Sequence, residues 1–255
     1  MRCGGVIRIL VTAVTVPILA GAVVAEEKRT RVLDPREPQL VLHYDFFGVE
    51  DGRVSDASGQ KHDGQLVGGE IVPGRRRPAV AFAGAGSITV TEGAETLDFV
   101  SRTLSVGARC KPASADGVII SVGDQVNGFS LYLKNGIPHF SVRADGKLTT
   151  VAGSEVAGTD RWVHLFGTID AKGNITLVSN GWPVSTKPGR PLADVPAEPM
   201  CVGADYGEPA GEYTGPQHWH GLIESVRLYW GVVDRVSDSE ELGDWADLPG
   251  CGCNR

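Results

Sequence analysis

The sequence predicts an all-β protein, a sandwich or barrel of short antiparallel strands. Three observations carry this. Apolar and polar residues alternate with a period of two in short runs, the pattern of half-buried strands. Asn-Gly, Asp-Gly and Gly-Asn pairs separate those runs, where tight hairpin turns need positive φ. The 34 glycines and 15 prolines among 255 residues break the chain too often for long helices. Alternating apolar faces are buried by packing one sheet on another.

The elements follow in chain order. Arg2 and Arg8 precede an apolar run from Ile9 to Ala25. It is short, holds Pro17 near its centre and ends on small residues. Residues 1–25 therefore read as a secretory signal rather than a membrane anchor, which leaves a mature chain with no membrane span. Residues 26–39 are charged and carry Pro35 and Pro38, the composition of a linker or arm. The sandwich is expected over residues 40–232. Phe129, Leu131 and Leu133 alternate with polar residues, Asn135-Gly136 turns the chain, and Pro138, Phe140 and Val142 alternate again. Asp145-Gly146 repeats the turn. Val163, Leu165 and Ile169 form a further run. Gly173-Asn174 leads into Ile175 and Leu177, and Asn180-Gly181 turns once more. In the last run Leu222, Val226, Leu228 and Trp230 are expected on one face. Residues 233–255 form a tail ending in Cys-Gly-Cys; only 236–246 has helical spacing, through Val236, Leu242 and Trp245.

A formal net charge of −7 argues against nucleic acid or an anionic membrane as partner, since both draw affinity from Lys and Arg. Removal of the signal leaves Cys110, Cys201, Cys251 and Cys253. An even count in a secreted, periplasmic or extracellular chain predicts disulfides, with three pairings open. A direct Cys251–Cys253 bridge would strain its geometry.

Several stretches resemble the laminin-G-like domains of the concanavalin A-like lectin/glucanase superfamily, in that family's order. They are Tyr44-Asp45-Phe46, Asp56-Ala57-Ser58-Gly59 and His62-Asp63-Gly64. Val80 to Gly84 with Ser87 to Val90 follows, then Thr103 to Val106 with Lys111-Pro112. Trp162-Val163-His164, Asn180-Gly181, Cys201 to Asp205 and Gly221 to Tyr229 complete the set. Arg109 stands near the family's usual strand Trp, and Glu224-Ser225 replaces its commoner Asp-Glu pair.

The resemblance implies a two-sheet antiparallel β-sandwich of the concanavalin A-like jelly-roll type, and a binding role with no required cofactor. The glucanase branch presents Glu-x-Asp-x-x-Glu on one strand, placing its carboxylates on one face. No such strand occurs here, and the sequence holds no catalytic residue set. A non-catalytic module for a glycan or an extracellular protein is the leading expectation. A structural or adhesion component with no small-molecule site is the second, and a glycoside hydrolase the third. Sugar sites need exposed aromatics beside polar groups, which singles out Trp182, Tyr206, Tyr213 and Trp219. Domains of this fold often hold a structural Ca²⁺ through oxygen ligands, for which Asp45, Asp56 and Glu224 are the candidates. Asp56 before Ser-Gly equally suits a turn that bonds its own backbone. A buried Glu224 would be served as well by Arg227 or Arg109. His218-Trp219-His220 has metal-ligand spacing but reads as exposed histidines around a core Trp. Arg75-Arg76-Arg77 reads as a solvated turn.

Overall fold

The computed structural model describes residues 38–233. Residues 1–25 expected as a signal, most of the expected linker, the stretch of helical spacing at 236–246, Cys251 and Cys253 lie outside them. The first strands are β1 (Gln39–Tyr44), β2 (Val49–Glu50), β3 (Arg53–Val54), β4 (Gly64–Pro73) and β5 (Pro78–Val90). Then come β6 (Leu104–Pro112), β7 (Gly117–Gly123), β8 (Gly128–Lys134), β9 (Ile137–Ala144) and β10 (Lys147–Ala152). β11 (Val163–Ile169), β12 (Asn174–Ser179) and β13 (Trp182–Pro188) lead to the short β14 (Cys201–Val202), β15 (Ala204–Asp205) and β16 (Gln217–His218). β17 (His220–Trp230) closes the domain.

The strands pair antiparallel, in the order β10-β9-β8-β7-β14-β5-β17-β6-β11-β12-β13. This path folds into two layers because β5 serves both. Its first half pairs with β17 through Val80 to Ala83. Its second half pairs with β14 through Ile88 and Thr89. Across the gap β11 meets β8 and β9, and β12 meets β9 and β10. The core between the layers takes Phe129, Leu131 and Phe140 from one sheet and Leu165, Leu177, Val226 and Leu228 from the other. The all-β sandwich expected from the alternation is thus what the chain forms.

The hairpin signals give the turns their type. Asn135 and Gly136 have φ of 54° and 75°, Asp145 and Gly146 51° and 73°, Asn180 and Gly181 49° and 81°. Positive φ at both central positions is the type I′ requirement. The last strand departs from simple alternation. The register of β17 on β6 shifts between Ile223 and Ser225. That bulge around Glu224 reverses the phase, so Ile223 is fully buried and Leu222 stays half-exposed, contrary to the expected shared face.

Candidate functional site

The aromatic candidates fall in three places. Trp219 is 1% exposed and packs in the core, so the His218-Trp219-His220 stretch is a core indole between a half-buried and an exposed histidine. Tyr206 and Tyr213 share the loop after β15. The Tyr213 hydroxyl donates to Asp205 at 2.5 Å, and its ring meets Tyr132 edge-on at 4.7 Å, which anchors the loop to β8. Tyr206 is exposed, its ring edge-on to His218 at 5.1 Å. Trp182 stands exposed at the start of β13, on another hairpin.

The acidic candidates each meet protein partners. Asp56 Oδ1 accepts the N–H of His43 and of Ser58, both at 2.9 Å, and Oδ2 accepts His62 N–H at 3.0 Å and the Ser58 hydroxyl at 2.7 Å. Burial alone would raise this carboxyl, but the hydrogen bonds from His43, His62 and Ser58 outweigh it and hold it below its usual range. Asp45 accepts Phe47 N–H in a local turn. Glu224 is fully buried, with Arg109 Nε 3.1 Å from Oε2 and the N–H groups of Arg76 and Arg77 donating to Oε1 at 2.7 and 3.3 Å. The structure therefore does not bring Asp45, Asp56 and Glu224 together. Among the described residues no group of three or more His, Cys, Asp or Glu side chains is placed to hold a metal ion.

Cys110 and Cys201 are buried free thiols, where disulfides were expected. Cys110 lies opposite Ile223 and Val163, and Cys201 opposite Thr89 and Ser121, so they occupy separate places in the sheet. Burial pushes both thiols up and keeps them protonated.

A concavity lies elsewhere, a cleft of about 750 Å³ on the outside of the sheet formed by β4, β5, β17 and β6. Its floor is a row of directly opposed residues. Glu70 faces Ala81, Ala81 faces Leu222, and Leu222 faces Lys111. The next outward row is Ala83 opposite His220, with the carbonyl of His220 accepting Ala113 N–H at 2.9 Å. Between the rows runs Gly221, at φ 139°, where a Cβ would come within 2.2 Å of the Lys111 carbonyl oxygen. Small side chains thus leave a flat floor beside backbone. Lys111 Nζ pairs with Asp160 at 3.4 Å, and the Asp160 N–H donates to Pro112 at 2.9 Å, fixing that carboxylate beyond β6. Glu70 and His220 are exposed, and among the described residues their side chains carry no hydrogen bond or ion pair. One end of the floor offers an acceptor, the other an acceptor and two donors, with an apolar strip between. Of these residues only His220 was singled out from the sequence, as an exposed histidine beside a core Trp, because no single stretch holds the cleft. The one sequence signal there, not used above, is glycine and alanine in otherwise regular strands, where close approach to backbone is the common reason.

The family model described as the concanavalin A-like lectin/glucanases superfamily, of laminin G type, matches residues 82–235. None of the curated proteins matches the chain. Among solved structures, one similar fold is domain 4 of AbnA, a GH43 extracellular arabinanase from Geobacillus stearothermophilus, in complex with arabinotriose. It is 20% identical with a TM-score of 0.59, over 76% of this chain and 94% of that one. The binding domain of Paraclostridial Mosquitocidal Protein 1 is 16% identical with a TM-score of 0.59, over 76% of this chain and 49% of that one. The botulinum neurotoxin serotype D/C VPI 5993 binding domain is 15% identical with a TM-score of 0.58, over 77% and 50%. The chain spans about half the length of these two toxin chains. Such identities establish a shared fold and no more. With the sandwich, its type I′ hairpins and a family match over more than half of its residues, the chain belongs to the laminin-G type of the concanavalin A-like lectin/glucanases superfamily.

Proposed function

We propose that this chain is an exported, non-catalytic recognition module that binds carbohydrate in the cleft of β4, β5, β17 and β6. The observation that carries the reading is the cleft itself, in which unpartnered Glu70 and His220 flank a floor of Ala81, Ala83, Gly221 and Leu222. A sugar presents hydroxyls to charged groups and C–H faces to apolar surface, and this floor offers both. The arabinotriose held by the similar domain 4 of AbnA supports a glycan over a protein as the ligand class. Separation of the carboxylates argues against hydrolysis. Glu70 on β4 and Lys111 on β6 are three strand spacings apart, roughly 14 Å, and Asp160 lies beyond Lys111. Glycosidases hold their two carboxyl groups within about 5–9.5 Å.

A glycan array probed with the full chain, paired with turnover assays on the glycans it retains, tests the proposal. Retention without cleavage is expected. Cleavage would make the chain a hydrolase. No retention on any glycan would leave the structural or adhesion role.

A further inference from the structure

Charge narrows what the cleft can hold. Its lining includes Glu70, Lys111, Asp160 and His220, so two carboxylates face one ammonium. Lys111 pairs with Asp160 at 3.4 Å and already has its counter-charge. Glu70 lies roughly 14 Å from Lys111, three strand spacings away, which is farther than exposed charges act in physiological salt, about 8 Å. Arg109, two residues before Lys111 on β6, is held by the buried Glu224. The Arg75–Arg77 turn closes the far end of the β4–β5 hairpin and gives N–H groups to the same glutamate. Of the two carboxylates in the cleft, Glu70 is therefore the one whose charge no described residue offsets.

The backbone turns Glu70 into this position. Leu66 packs against the core, and plain alternation from it would bring residues 68 and 70 inward as well. The register of β4 on β5 instead shifts between Val67 and Gly69. Gly68, at φ 66°, makes the bulge, and an added Cβ there would come within 3.0 Å of the Gly86 Cα. After it Gly69 faces the core residues Val80 and Phe82, and Glu70 stands outward, opposite Ala81 on the cleft floor. Bulges re-aim side chains in this way. The result is a carboxylate beside the apolar wall of Ala81 and Leu222, where a low-dielectric surface focuses its field.

We propose that the ligand of this cleft is an amino sugar, whose free ammonium pairs with Glu70 while the C–H face of its ring lies on Ala81 and Leu222. The inference rests on the carbohydrate reading above and adds the charge of the sugar to it. An ammonium brings three donors to a carboxylate that only accepts, and hydrogen bonds between ions are stronger than those from a neutral hydroxyl. An acidic sugar would have to displace Asp160 from Lys111 and meet the carboxylates as like charges. The formal net charge of −7 acts in the same sense, drawing cations to the protein.

Titration calorimetry on the full chain tests this with β-1,4-linked trimers of glucosamine, N-acetylglucosamine and glucose. These carry an ammonium, an acetamide and a hydroxyl at the same ring carbon. The glucosamine trimer is expected to bind roughly fivefold tighter than the other two, the upper end for an exposed ion pair. That lead should vanish in about 1 M salt, where charges are screened beyond about 3 Å. Glu70→Gln should bind all three alike, at the strength the wild type shows for the glucose trimer. Glu95→Gln removes an exposed charge from the 3-10 turn Ala94–Thr96 and should keep the lead, which separates a contact at Glu70 from net charge. Equal affinities in the wild type, or a lead that survives Glu70→Gln, would overturn the inference. If Ala81→Arg then still abolishes binding, the cleft remains a site for neutral sugars. Failure of all three trimers to bind would overturn the inference as well. The glycan array judges the carbohydrate reading separately, since a neutral glycan retained there and lost by Ala81→Arg leaves the cleft a sugar site.

Discussion

Asp56 shows how much one carboxylate can organise. Its two oxygens take four hydrogen bonds from His43, Ser58 and His62, closing the opening turn on β1. Removing an acceptor from buried donors costs about 1–3 kcal/mol, so Asp56→Asn should lower stability by about that amount at neutral pH. The folded carboxyl sits below its unfolded value. Its contribution is therefore present above the unfolded pKa, near 4, and is lost as pH falls through the lower folded value. Thermal melts at pH 7 and pH 3 should show the deficit of the variant shrink at the lower pH. The deficit should be equal in millimolar calcium and in chelator, because the oxygens already serve protein donors; a deficit present only with calcium would restore the metal reading. Glu224 is the second such case. Arg109→Met would strand a buried carboxylate, a change that costs about 3–5 kcal/mol, and chemical denaturation would measure it. Sequence alone named both residues and both readings of each. Only the distances to His43, His62 and Arg109 choose between them.

At the scale of elements, local signals and long-range ones part company. Asn135-Gly136, Asp145-Gly146 and Asn180-Gly181 were legible because a type I′ turn depends on the two residues that form it. Gly181→Ala should cost about 1–2 kcal/mol through its left-handed conformation, visible as a lower melting temperature with the fold intact. The bulge in β17 was not legible. It lies at Glu224, which meets Arg109 and the Arg75–Arg77 turn, more than 100 residues away in sequence. Alternation counted along the strand then places Leu222 where Ile223 belongs. The cysteines failed for a related reason. Parity and export predict pairing, but packing Cys110 against Ile223 uses it as a small apolar residue. Trp219 likewise gave the aromatic signal of a sugar site and is spent on the core.

Taken whole, the described residues form a sandwich whose two outer faces differ in surface. One sheet is roofed by the loop that Tyr213 anchors to Tyr132. The other carries the cleft and, on the same strand β6 as Lys111, Arg109 over the Trp162 ring. The cleft escaped the sequence because its floor is a cross-section through four strands, each giving one or two small residues. Fold class was legible because every strand repeats it; the site was not, because each of its residues is unremarkable within its own strand. The central claim is that ligand enters this cleft. Isothermal titration of arabinotriose, and of any glycan the array retains, into four forms of the full chain tests it most directly: wild type, Ala81→Arg, Tyr206→Ala and Trp182→Ala. An arginine at position 81 fills the floor, so that variant should lose at least tenfold in affinity, about 1.4 kcal/mol, while the two aromatic variants bind as the wild type does. Undiminished binding by Ala81→Arg, with loss in Tyr206→Ala or Trp182→Ala, would contradict the account and move the site to the loops.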